Sequence, residues 1–561
     1  MSEDPGAPSP GPLAFVRGTV AVALLAFAAA LLLLSAGPDW ARGVAGGGDA
    51  WQNLWNLRHV DRALHGGTPL YRTDRLWFPE GAGLGMHTLA PALTVPGALA
   101  GRFVGFTLGY DLTVALTFVL AAAGTYRLGR RLGIGPAGAA AAALVFAFAP
   151  PRVARAYGHL NLLGLGFLPF ALEGLVLASR RRGRARFAGI LEAAAALAAL
   201  ALTDLYLALL GAVAAGCLAA FEIVRAPRGE RVPRLASLAA AGLASLVFAS
   251  PQLRATSRDA SDVVPQHESR WCSVAATSLV IPSRIQVASA LTRPLTERNH
   301  QNLVEGVGYL GFVPLLATLA VVVRRRPRDL DFALVAGALG LALSLGPRLR
   351  VFDTLLDVPL PYAALEAALP ALRLGGCVNR FEQLAFLPLA LGLGFWLDRR
   401  RAEGTGRALT LAALALAALE YLPWRIPVES WPIDPPDPAI VAIKQTPGAG
   451  AVLDLDMGTA ALVRQMIHGR PITFGYLSRT PRDEDRQRRE DPVLGPLLAA
   501  DGRPPGSPAS AAAALRDRWG VTHVVGPATD AWKARAAAFG LLPFAESDRT
   551  AVFVPAPASG R

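Results

Sequence analysis

Residues 127–186 read RLGRRLGIGPAGAAAAALVFAFAPPRVARAYGHLNLLGLGFLPFALEGLVLASRRRGRAR. Two apolar segments, 136–150 and 160–179, lie between an arginine cluster at each end. Their lengths approach the ~20 apolar residues that a helix needs to cross a bilayer. Short basic loops stay on the cytoplasmic side of a membrane. The segment therefore predicts a pair of transmembrane helices whose arginine-rich ends both face the cytoplasm.

The same alternation of apolar segments and arginine clusters extends over the first three quarters of the chain. Of its 561 residues, 53% are hydrophobic and 17% are charged, whereas about 25% of residues in soluble domains are charged. The net charge of +13 lies in short loops and not on one helix face, so we expect no nucleic-acid partner. Further spans are predicted at 19–36, 111–126, 187–203, 205–223, 235–250, 306–323, 331–346, 381–397 and 407–422.

One apolar segment, 87–104, would add a crossing that conflicts with a cytoplasmic position of all the arginine clusters and of the N-terminus. It contains Pro91, Pro96 and two glycines. A full crossing would place either the N-terminus outside or the later arginine clusters on the wrong side. We therefore predict a re-entrant or interfacial segment, while a twelve-span arrangement stays open. The predicted fold class is a polytopic all-α membrane protein of about eleven transmembrane helices with a cytoplasmic N-terminus.

The composition changes beyond Trp424, where several prolines mark a linker. Apolar segments after it predict short strands, and alanine-rich segments predict helices. The strands are predicted at 451–456, 521–525 and 551–554, and the helices at 511–519 and 531–539. The chain therefore divides into a membrane domain, residues 1–425, and a linker with a small external α/β domain, residues 426–561.

The first predicted external loop, residues 37–86, carries an acid after a glycine-rich turn. There, the Asp49 carboxylate can accept a proton from a hydroxyl group, or hold a divalent cation such as Mg²⁺ or Mn²⁺ beside a phosphate. The alternative is that Asp49 caps the helix that follows it. Trp51 suits a helix at the membrane interface. The candidate substrate contacts are Trp51, Glu80 in the same loop and His87 just beyond the loop.

Further polar residues lie near the predicted external ends of spans. Asp204 either faces a cavity or caps a helix, and Glu305 either belongs to a site or stabilises a helix N-terminus. Arg152, Arg155 and Arg380 contradict the positive-inside trend. Because guanidinium groups bind phosphate in a bidentate manner, these arginines are candidate phosphate contacts. Contact with lipid head groups is the alternative.

Several motifs resemble the integral-membrane glycosyltransferases of the GT-C type, in particular a poorly characterised bacterial branch of them. The resemblance rests on the order of the motifs along most of the chain. The motifs are GGDAWQNLWNLRHV (47–60), LWFPEG (76–81), YRLGRRLG (126–133), LVFAFAPPRVARAYGHLNLL (144–163), EGVGYLG (305–311), LPALRLGGCVNRFEQLAFLPLALGLG (369–394), VLDLD (452–456), HGRPITFGY (468–476) and WGVTHVV (519–525).

The resemblance implies transfer of a sugar from a polyprenyl-phosphate donor to an acceptor on the external face of the membrane. It also implies that Asp49 is the catalytic or metal-associated acid. Such enzymes often carry a second acid in a later external loop, but the turn here offers His159 instead. His159 is a candidate base or phosphate contact, and an interfacial histidine without a chemical role is the alternative. The resemblance favours Arg380 as a phosphate contact, because this arginine lies inside one of the motifs.

The leading hypothesis is a multi-pass glycosyltransferase of the inner cell membrane, with its C-terminal domain on the periplasmic side. Its expected partners are the lipid-linked donor, the surrounding membrane lipid and a cell-envelope glycan, lipid or protein acceptor. Two alternatives stay open: a transporter or flippase of a lipid-linked substrate, and a non-catalytic assembly protein. Cys272 and Cys377 both fall outside in this topology, so a disulfide between them is also an open question.

Overall fold

A computed structural model describes residues 11–34, 42–262, 268–299, 304–374, 376–404, 407–430, 433, 435–499 and 502–557. The end of the first predicted span and the start of the first predicted external loop, residues 35–41, lie outside the described residues.

Helices make up most of the chain before the linker, because its apolar segments are rich in alanine and leucine, which favour helices. Short 3-10 helices, among them Gly164–Phe167 and Val378–Ala385, connect several of the α-helices. The α-helices are α1 Pro12–Leu34, α2 Asp49–His65, α3 Pro91–Val104, α4 Phe106–Arg131, α5 Pro136–Ala147, α6 Pro150–Arg155, α7 Leu160–Leu163, α8 Leu168–Arg180, α9 Gly183–Ala201, α10 Leu205–Arg225, α11 Arg231–Asp259, α12 Arg293–Arg298, α13 Phe312–Arg325, α14 Asp331–Ser344, α15 Pro361–Ala368, α16 Phe386–Ala402 and α17 Arg407–Tyr421.

The protein is a membrane protein, and its helices overlap the predicted spans without matching all of their bounds. Among the described residues, five helical stretches are long and apolar enough to cross a bilayer: Pro12–Leu34, Phe106–Arg131, Leu160–Arg180, Leu205–Arg225 and Arg228–Asp259. Shorter apolar helices occupy Pro136–Ala147, Phe312–Arg324 and Thr410–Tyr421. Every predicted span overlaps a helix of the structure, while the total of eleven crossings stays a prediction.

The segment predicted to be re-entrant contains α3. Its 14 residues extend over about 21 Å, which is less than the ~30 Å hydrocarbon layer. Gly105, at φ +90°, ends α3, and α4 begins at the next residue. A Cβ atom on Gly109 would lie 2.7 Å from the Cα atom of Gly101, so only glycine permits the close approach of the two helices. The two helices therefore form a tight hairpin beside α2.

The part of the chain after the linker folds around a mixed sheet. The strands of the described residues are β1 Val44–Ala45, β2 Arg72–Thr73, β3 Ala82–Gly83, β4 Arg348–Val351, β5 Thr354–Pro359, β6 Val428–Glu429, β7 Ala451–Asp454, β8 Val521–Pro527, β9 Leu541–Glu546 and β10 Thr550–Pro555. The strand order in the mixed sheet is β7–β8–β10–β9, with β7 parallel to β8 and the other neighbours antiparallel. The helices of this part are α18 Pro438–Gln445, α19 Thr459–His468, α20 Arg482–Glu490, α21 Leu494–Leu498, α22 Pro508–Asp517 and α23 Asp530–Ala538.

This C-terminal part, called the tail domain below (residues 435–557), packs directly on α2 and on the loop that follows it. The indole of Trp55 donates to Gln465 Oε1 at 3.1 Å, and the indole of Trp77 donates to the Gly475 carbonyl at 3.1 Å. Most of α2 is buried, including Trp51. The tryptophans of this helix therefore pack against protein and not against lipid, because other parts of the chain cover the helix.

Arg488 fastens the tail domain to the first loop. Its side chain is 0% exposed, and it donates to the carbonyls of Thr473, Trp77 and Phe78 at 3.0, 3.0 and 3.1 Å. The guanidinium group also lies 5.3 Å from the centre of the Trp77 ring. Buried carbonyls that lose their donor are costly, so this single side chain supports the contact between the two regions.

We expect Arg488→Leu to lower the free energy of unfolding by about 3 kcal/mol, because two buried carbonyls and one part-buried carbonyl lose their donor. The measurement is thermal unfolding of the protein in detergent. Arg486→Leu is the matched control, since Arg486 is exposed and pairs with Asp483 on the same helix. Equal melting temperatures for the two variants would show that Arg488 does not fasten the tail domain.

Candidate functional site

A cavity of about 340 Å³ lies where α2, the loop before α3, the turn before α7, α10 and the tail domain meet. Six of the residues predicted from the sequence line it: Asp49, His87, His159, Asp204, Glu305 and Arg380. The tail domain adds three residues that the sequence analysis did not select: Tyr476, Ser478 and Arg479.

The glycine-rich turn before α2 brings Asp49 against the turn that carries His159. A Cβ atom on Gly46, at φ +95°, would lie 2.7 Å from the backbone of Tyr157. A Cβ atom on Gly158, at φ +133°, would lie 2.9 Å from the Gly47 carbonyl. The two turns can approach this closely because glycine stands at both contact points.

Asp49 is the first residue of α2, but its side chain does not cap the helix. The N-cap is Gly48, and no side-chain hydrogen bond closes this helix end. The Asp49 carboxylate instead lies in the cavity, with Oδ2 3.6 Å from Nε2 of His159. The Tyr476 hydroxyl group lies close enough to the same carboxylate for the charge of Asp49 to raise its pKa. The capping alternative is therefore not what the structure shows, and the acid is available to a ligand.

Tyr476 of the tail domain lies beside Asp49 in the cavity. Burial raises the pKa of its hydroxyl group above the ordinary value for tyrosine, and the nearby charge of Asp49 raises it further. The phenol therefore remains protonated at neutral pH. The tail domain thus supplies a neutral polar group next to the acid of the membrane domain.

Glu305 holds the other side of the cavity through a buried ionic cluster. Its Oε2 lies 2.5 Å from Nη1 of Arg155, and its Oε1 lies 3.3 Å from Nη2 of Arg380. The Asn379 amide donates to Oε2 at 2.8 Å. The next helix, α13, begins only at Phe312, so Glu305 joins segments of the chain and does not stabilise that helix end.

The charges around Glu305 decide its ionisation. Burial alone would raise the pKa of this carboxyl group, but Arg155 and Arg380, helped by His159 and the Asn379 amide, bring the pKa below its ordinary value. Glu305 is therefore ionised over the whole physiological range of pH.

His159 lies between the two acids. Its Nε2 atom is 3.6 Å from Asp49 Oδ2 and 4.0 Å from Glu305 Oε1. Burial lowers the pKa of His159 below its ordinary value, against the opposing effect of Glu305. The imidazole is therefore mainly neutral at pH 7, and its Nε2 atom lies slightly beyond hydrogen-bond distance of the Asp49 carboxylate.

Asp204 combines the two roles that the sequence left open. It is the N-cap of α10, where it accepts a hydrogen bond from the Tyr206 amide at 2.7 Å. Its second oxygen accepts from the Asn161 side chain at 2.5 Å, and the residue also lines the cavity. Capping therefore fixes this acid at the cavity wall.

Two guanidinium groups from distant parts of the chain reach the cavity. Arg380 lies over the ring of Tyr206, with its guanidinium carbon 5.6 Å from the ring centre. Burial lowers the pKa of Arg479, and the positive charge of Arg380 lowers it further. The two cations are therefore close enough to repel each other, which makes this part of the cavity suited to an anion.

The other two arginines predicted from the sequence do not line the cavity. Arg155 is 0% exposed and is engaged with Glu305. Arg152 donates to the Thr117 carbonyl at 2.6 Å and lies over the ring of Phe118. Both arginines are therefore held among protein groups, away from the place where a ligand would bind.

Trp51 and Glu80 also lie outside the cavity. The indole of Trp51 donates to Glu429 Oε2 at 3.0 Å, and Glu80 Oε2 pairs with Arg488 Nη2 at 2.6 Å. Both residues fasten the first loop to later parts of the chain, namely the linker and the tail domain. The structure therefore places them as supports of the first loop and not as cavity residues.

His87 lines the cavity as a neutral bridge. The Ser478 amide donates to its Nδ1 atom at 3.2 Å, and its Nε2 atom lies 2.9 Å from Asn56 Oδ1. Because Nδ1 accepts, Nε2 carries the proton and donates to Asn56. Burial lowers the pKa of His87 to about 3, so this histidine positions the tail loop without charge.

The donor set of the cavity does not fit a divalent cation held by several protein ligands. Among the described residues, no group of three or more His, Cys, Asp or Glu side chains could hold a metal ion. The Glu305 carboxylate already neutralises arginines, which leaves Asp49 and His159. A metal beside Asp49 stays a prediction from the sequence.

The chain shares its fold with a solved arabinofuranosyltransferase, and further solved structures align with it at lower TM-scores. The arabinofuranosyltransferase AftD from Mycobacteria matches with a TM-score of 0.61 and 17% identity, over 96% of this chain and 42% of AftD. The Archaeoglobus fulgidus oligosaccharyltransferase matches with a TM-score of 0.49 and 14% identity, over 91% of this chain and 69% of its own. ArnT from Cupriavidus metallidurans matches with a TM-score of 0.45 and 15% identity, over 97% and 98% of the two chains.

The protein therefore has the GT-C fold, which confirms the resemblance that its motifs indicated. The chain spans about two fifths of the length of the arabinofuranosyltransferase. Residues 17–420, well over half of the chain, match the family described as a domain of unknown function, DUF6311, and the protein belongs to that family. No curated protein sequence matches the chain.

We expect Glu305→Gln to lower the free energy of unfolding by about 3–5 kcal/mol, because two buried guanidinium groups lose their counter-charge. Since the pKa of Glu305 is lowered in the folded protein, its stabilising effect is complete above the unfolded value near 4.3 and is lost as the pH falls through the folded value. The melting temperature of the variant, measured against pH, should therefore fall less steeply in acid.

The control for this experiment is Glu297→Gln. Glu297 pairs with Arg293 at an exposed position, where an ion pair contributes little. If the two glutamine variants melted at the same temperature at neutral pH, the buried cluster would not have the importance assigned to it.

Proposed function

We propose that the protein transfers a sugar from a polyprenyl-phosphate donor to a hydroxyl group of a cell-envelope acceptor. The observation that carries this proposal is the placement of one available acid, Asp49, in the same cavity as two guanidinium groups, Arg380 and Arg479. A transferase of this kind needs both a base for the acceptor and cations for the phosphate that leaves. The shared fold with an arabinofuranosyltransferase supports the proposal.

The chemistry places each group in a definite role. The acceptor oxygen forms a bond to the anomeric carbon of the sugar while its proton passes to the Asp49 carboxylate. The bond between the anomeric carbon and the phosphate oxygen breaks, and its electron pair stays on the phosphate. Arg380 and Arg479 stabilise the charge that develops there. The proton can leave Asp49 through His159, which is neutral and 3.6 Å away.

The membrane setting follows the predicted topology. In this proposal about eleven helices cross the inner membrane, the N-terminus is cytoplasmic, and the tail domain, residues 435–557, covers the cavity from the periplasmic side. Membrane lipid surrounds the spans, and the donor reaches the cavity from the bilayer. Burial of the prenyl chain contributes roughly 0.8 kcal/mol per CH₂ group to its binding.

We expect Asp49→Asn to reduce sugar transfer by at least about 100-fold without loss of folded protein, because the amide cannot accept the proton. The measurement is lipid and glycan mass profiling of cells that lack the protein and carry either wild type or the variant at matched membrane levels. Wild type should remove the accumulated sugar lipid and restore the missing sugar, and the variant should do neither. Asp61→Asn, a change on the same helix outside the cavity lining, is the matched control.

The same profiling separates the alternatives. Full restoration by Asp49→Asn would remove the acid from the mechanism. A sugar lipid that changes its side of the membrane while its sugar bond stays intact would identify a transporter or flippase. Unchanged lipids together with loss of a partner protein from the membrane would identify an assembly protein.

We expect Arg479→Ala to lower kcat/KM for a polyprenyl-phosphate sugar by roughly 10–100-fold, because one charge-assisted contact to the phosphate is lost. The assay uses purified protein and a synthetic donor. Arg486→Ala, at an exposed site on the same domain, should leave kcat/KM unchanged. A phosphate site that depended on Arg380 alone would make the two variants equally active.

A further inference from the structure

Cys272 and Cys377 lie close to each other, near the ionic cluster of Glu305 and Arg380. Cys272 is half-buried and Cys377 is 1% exposed. The amide of Asn379 donates to the Cys272 carbonyl at 2.9 Å, so the backbone after one cysteine is fastened to the backbone of the other. Both thiols are free in this structure, and they lie close enough for each to shift the pKa of the other: Cys377 lowers the pKa of Cys272, and Cys272 raises the pKa of Cys377.

The residues that follow the two cysteines also touch a common neighbour. A Cβ atom on Gly346 would lie 2.6 Å from Cβ of Ser273 and 3.4 Å from a side-chain methyl of Val378. The segments of Cys272 and Cys377 therefore run together over more than one residue. Two thiols held this way need little movement of the backbone to be linked.

We propose that Cys272 and Cys377 form a disulfide bond in the mature protein, which fastens the segment of Asn379 and Arg380 to the segment of Cys272. Both residues lie on the external side in the predicted topology, where disulfides form and persist. Cys217 has no part in the bond, because it lies within the apolar helix α10.

The bond forms by exchange with an oxidised protein dithiol, the class of reagent that oxidises external thiols. The Cys272 thiolate attacks one sulfur of that disulfide, and a mixed disulfide forms as the other sulfur leaves as a thiolate. The Cys377 thiolate then attacks the Cys272 sulfur, and the second sulfur of the reagent leaves. The chain loses two electrons and two protons, and the reagent gains both as its own two thiols.

The disulfide would act on the site through Asn379 and Arg380. These neighbours of Cys377 hold the Glu305 carboxylate, and Glu305 in turn holds Arg155. A link between residues so far apart in sequence removes much freedom from the unfolded chain. The bond therefore stabilises the region of the ionic cluster, and Cys272 and Cys377 are positioning residues.

The test counts thiols. Cells that make the full-length protein are quenched in acid, and the denatured protein is treated with a maleimide that carries a polyethylene glycol chain. Each free thiol adds one tag, which shifts the band on a gel. We expect one tag, on Cys217, without reduction and three tags after reduction. Two or three tags without reduction would overturn the proposal.

Matched variants show which cysteines take part. Cys217→Ser should accept no tag before reduction and two tags after it. Cys377→Ser should accept two tags under both conditions. If Cys217→Ser accepted two tags before reduction, the two remaining thiols would be free and the proposal would be wrong.

A second measurement reads the stabilising effect without any assay of sugar transfer. A reductant should lower the melting temperature of wild type and of Cys217→Ser by the same several degrees. It should leave the melting temperature of the double variant Cys272→Ser, Cys377→Ser unchanged. An equal effect of the reductant on all three proteins would overturn the stabilising role. Since no step depends on catalysis, failure of the proposed function would not change these results.

Discussion

The buried carboxylate of Glu305 is the point on which the cavity depends. It stands between Arg155 and Arg380, at 2.5 and 3.3 Å from their nearest nitrogens, and it also accepts from Asn379. The three partners come from α6 and from the 3-10 helix before α16. Without the acid, these two segments would carry unpaired positive charges toward each other, so one carboxylate holds the cavity wall together.

The tail domain completes the cavity because it is fastened to the first loop and not only to its linker. Ser478 meets His87 and Thr88, and Arg488 meets the backbone around Trp77. These contacts bring Tyr476 to Asp49. The tail domain therefore forms part of the cavity wall, with Tyr476, Ser478 and Arg479 among the lining residues.

The sequence predicted most of the helices but only part of the site. Helices follow from local patterns, whereas parts of the site depend on contacts between distant segments. Hydropathy and arginine clusters act locally, so every predicted span overlaps a helix. Asp49 could be selected because it stands at a turn near a predicted span, and His159 because the family resemblance points to the turn that carries it. Arg479 could not be selected in the same way, since its place in the cavity depends on the docking of the tail domain, and no local pattern records that docking.

Local sequence patterns also could not predict which of the three candidate arginines, Arg152, Arg155 and Arg380, lines the cavity. Local pattern gives each of them the same surroundings, an external helix end, and cannot say which one has a carboxylate as its partner. The structure pairs Arg155 with Glu305 and buries Arg152 beside Phe118, which leaves Arg380 and Arg479 at the cavity.

The placement of charge around the Glu305 cluster argues for an anionic ligand. One carboxylate between two guanidinium groups leaves one net positive charge in a buried place, and Arg479 adds a second cation nearby. Asp204 and Asp49 line the same cavity, so these six charged groups balance overall, and what favours an anion is the placement of Arg380 and Arg479 near each other. An anion such as a phosphate beside the two guanidinium groups relieves their repulsion. Arg155 serves the site indirectly: by sharing Glu305, it leaves part of the charge of Arg380 available to the ligand.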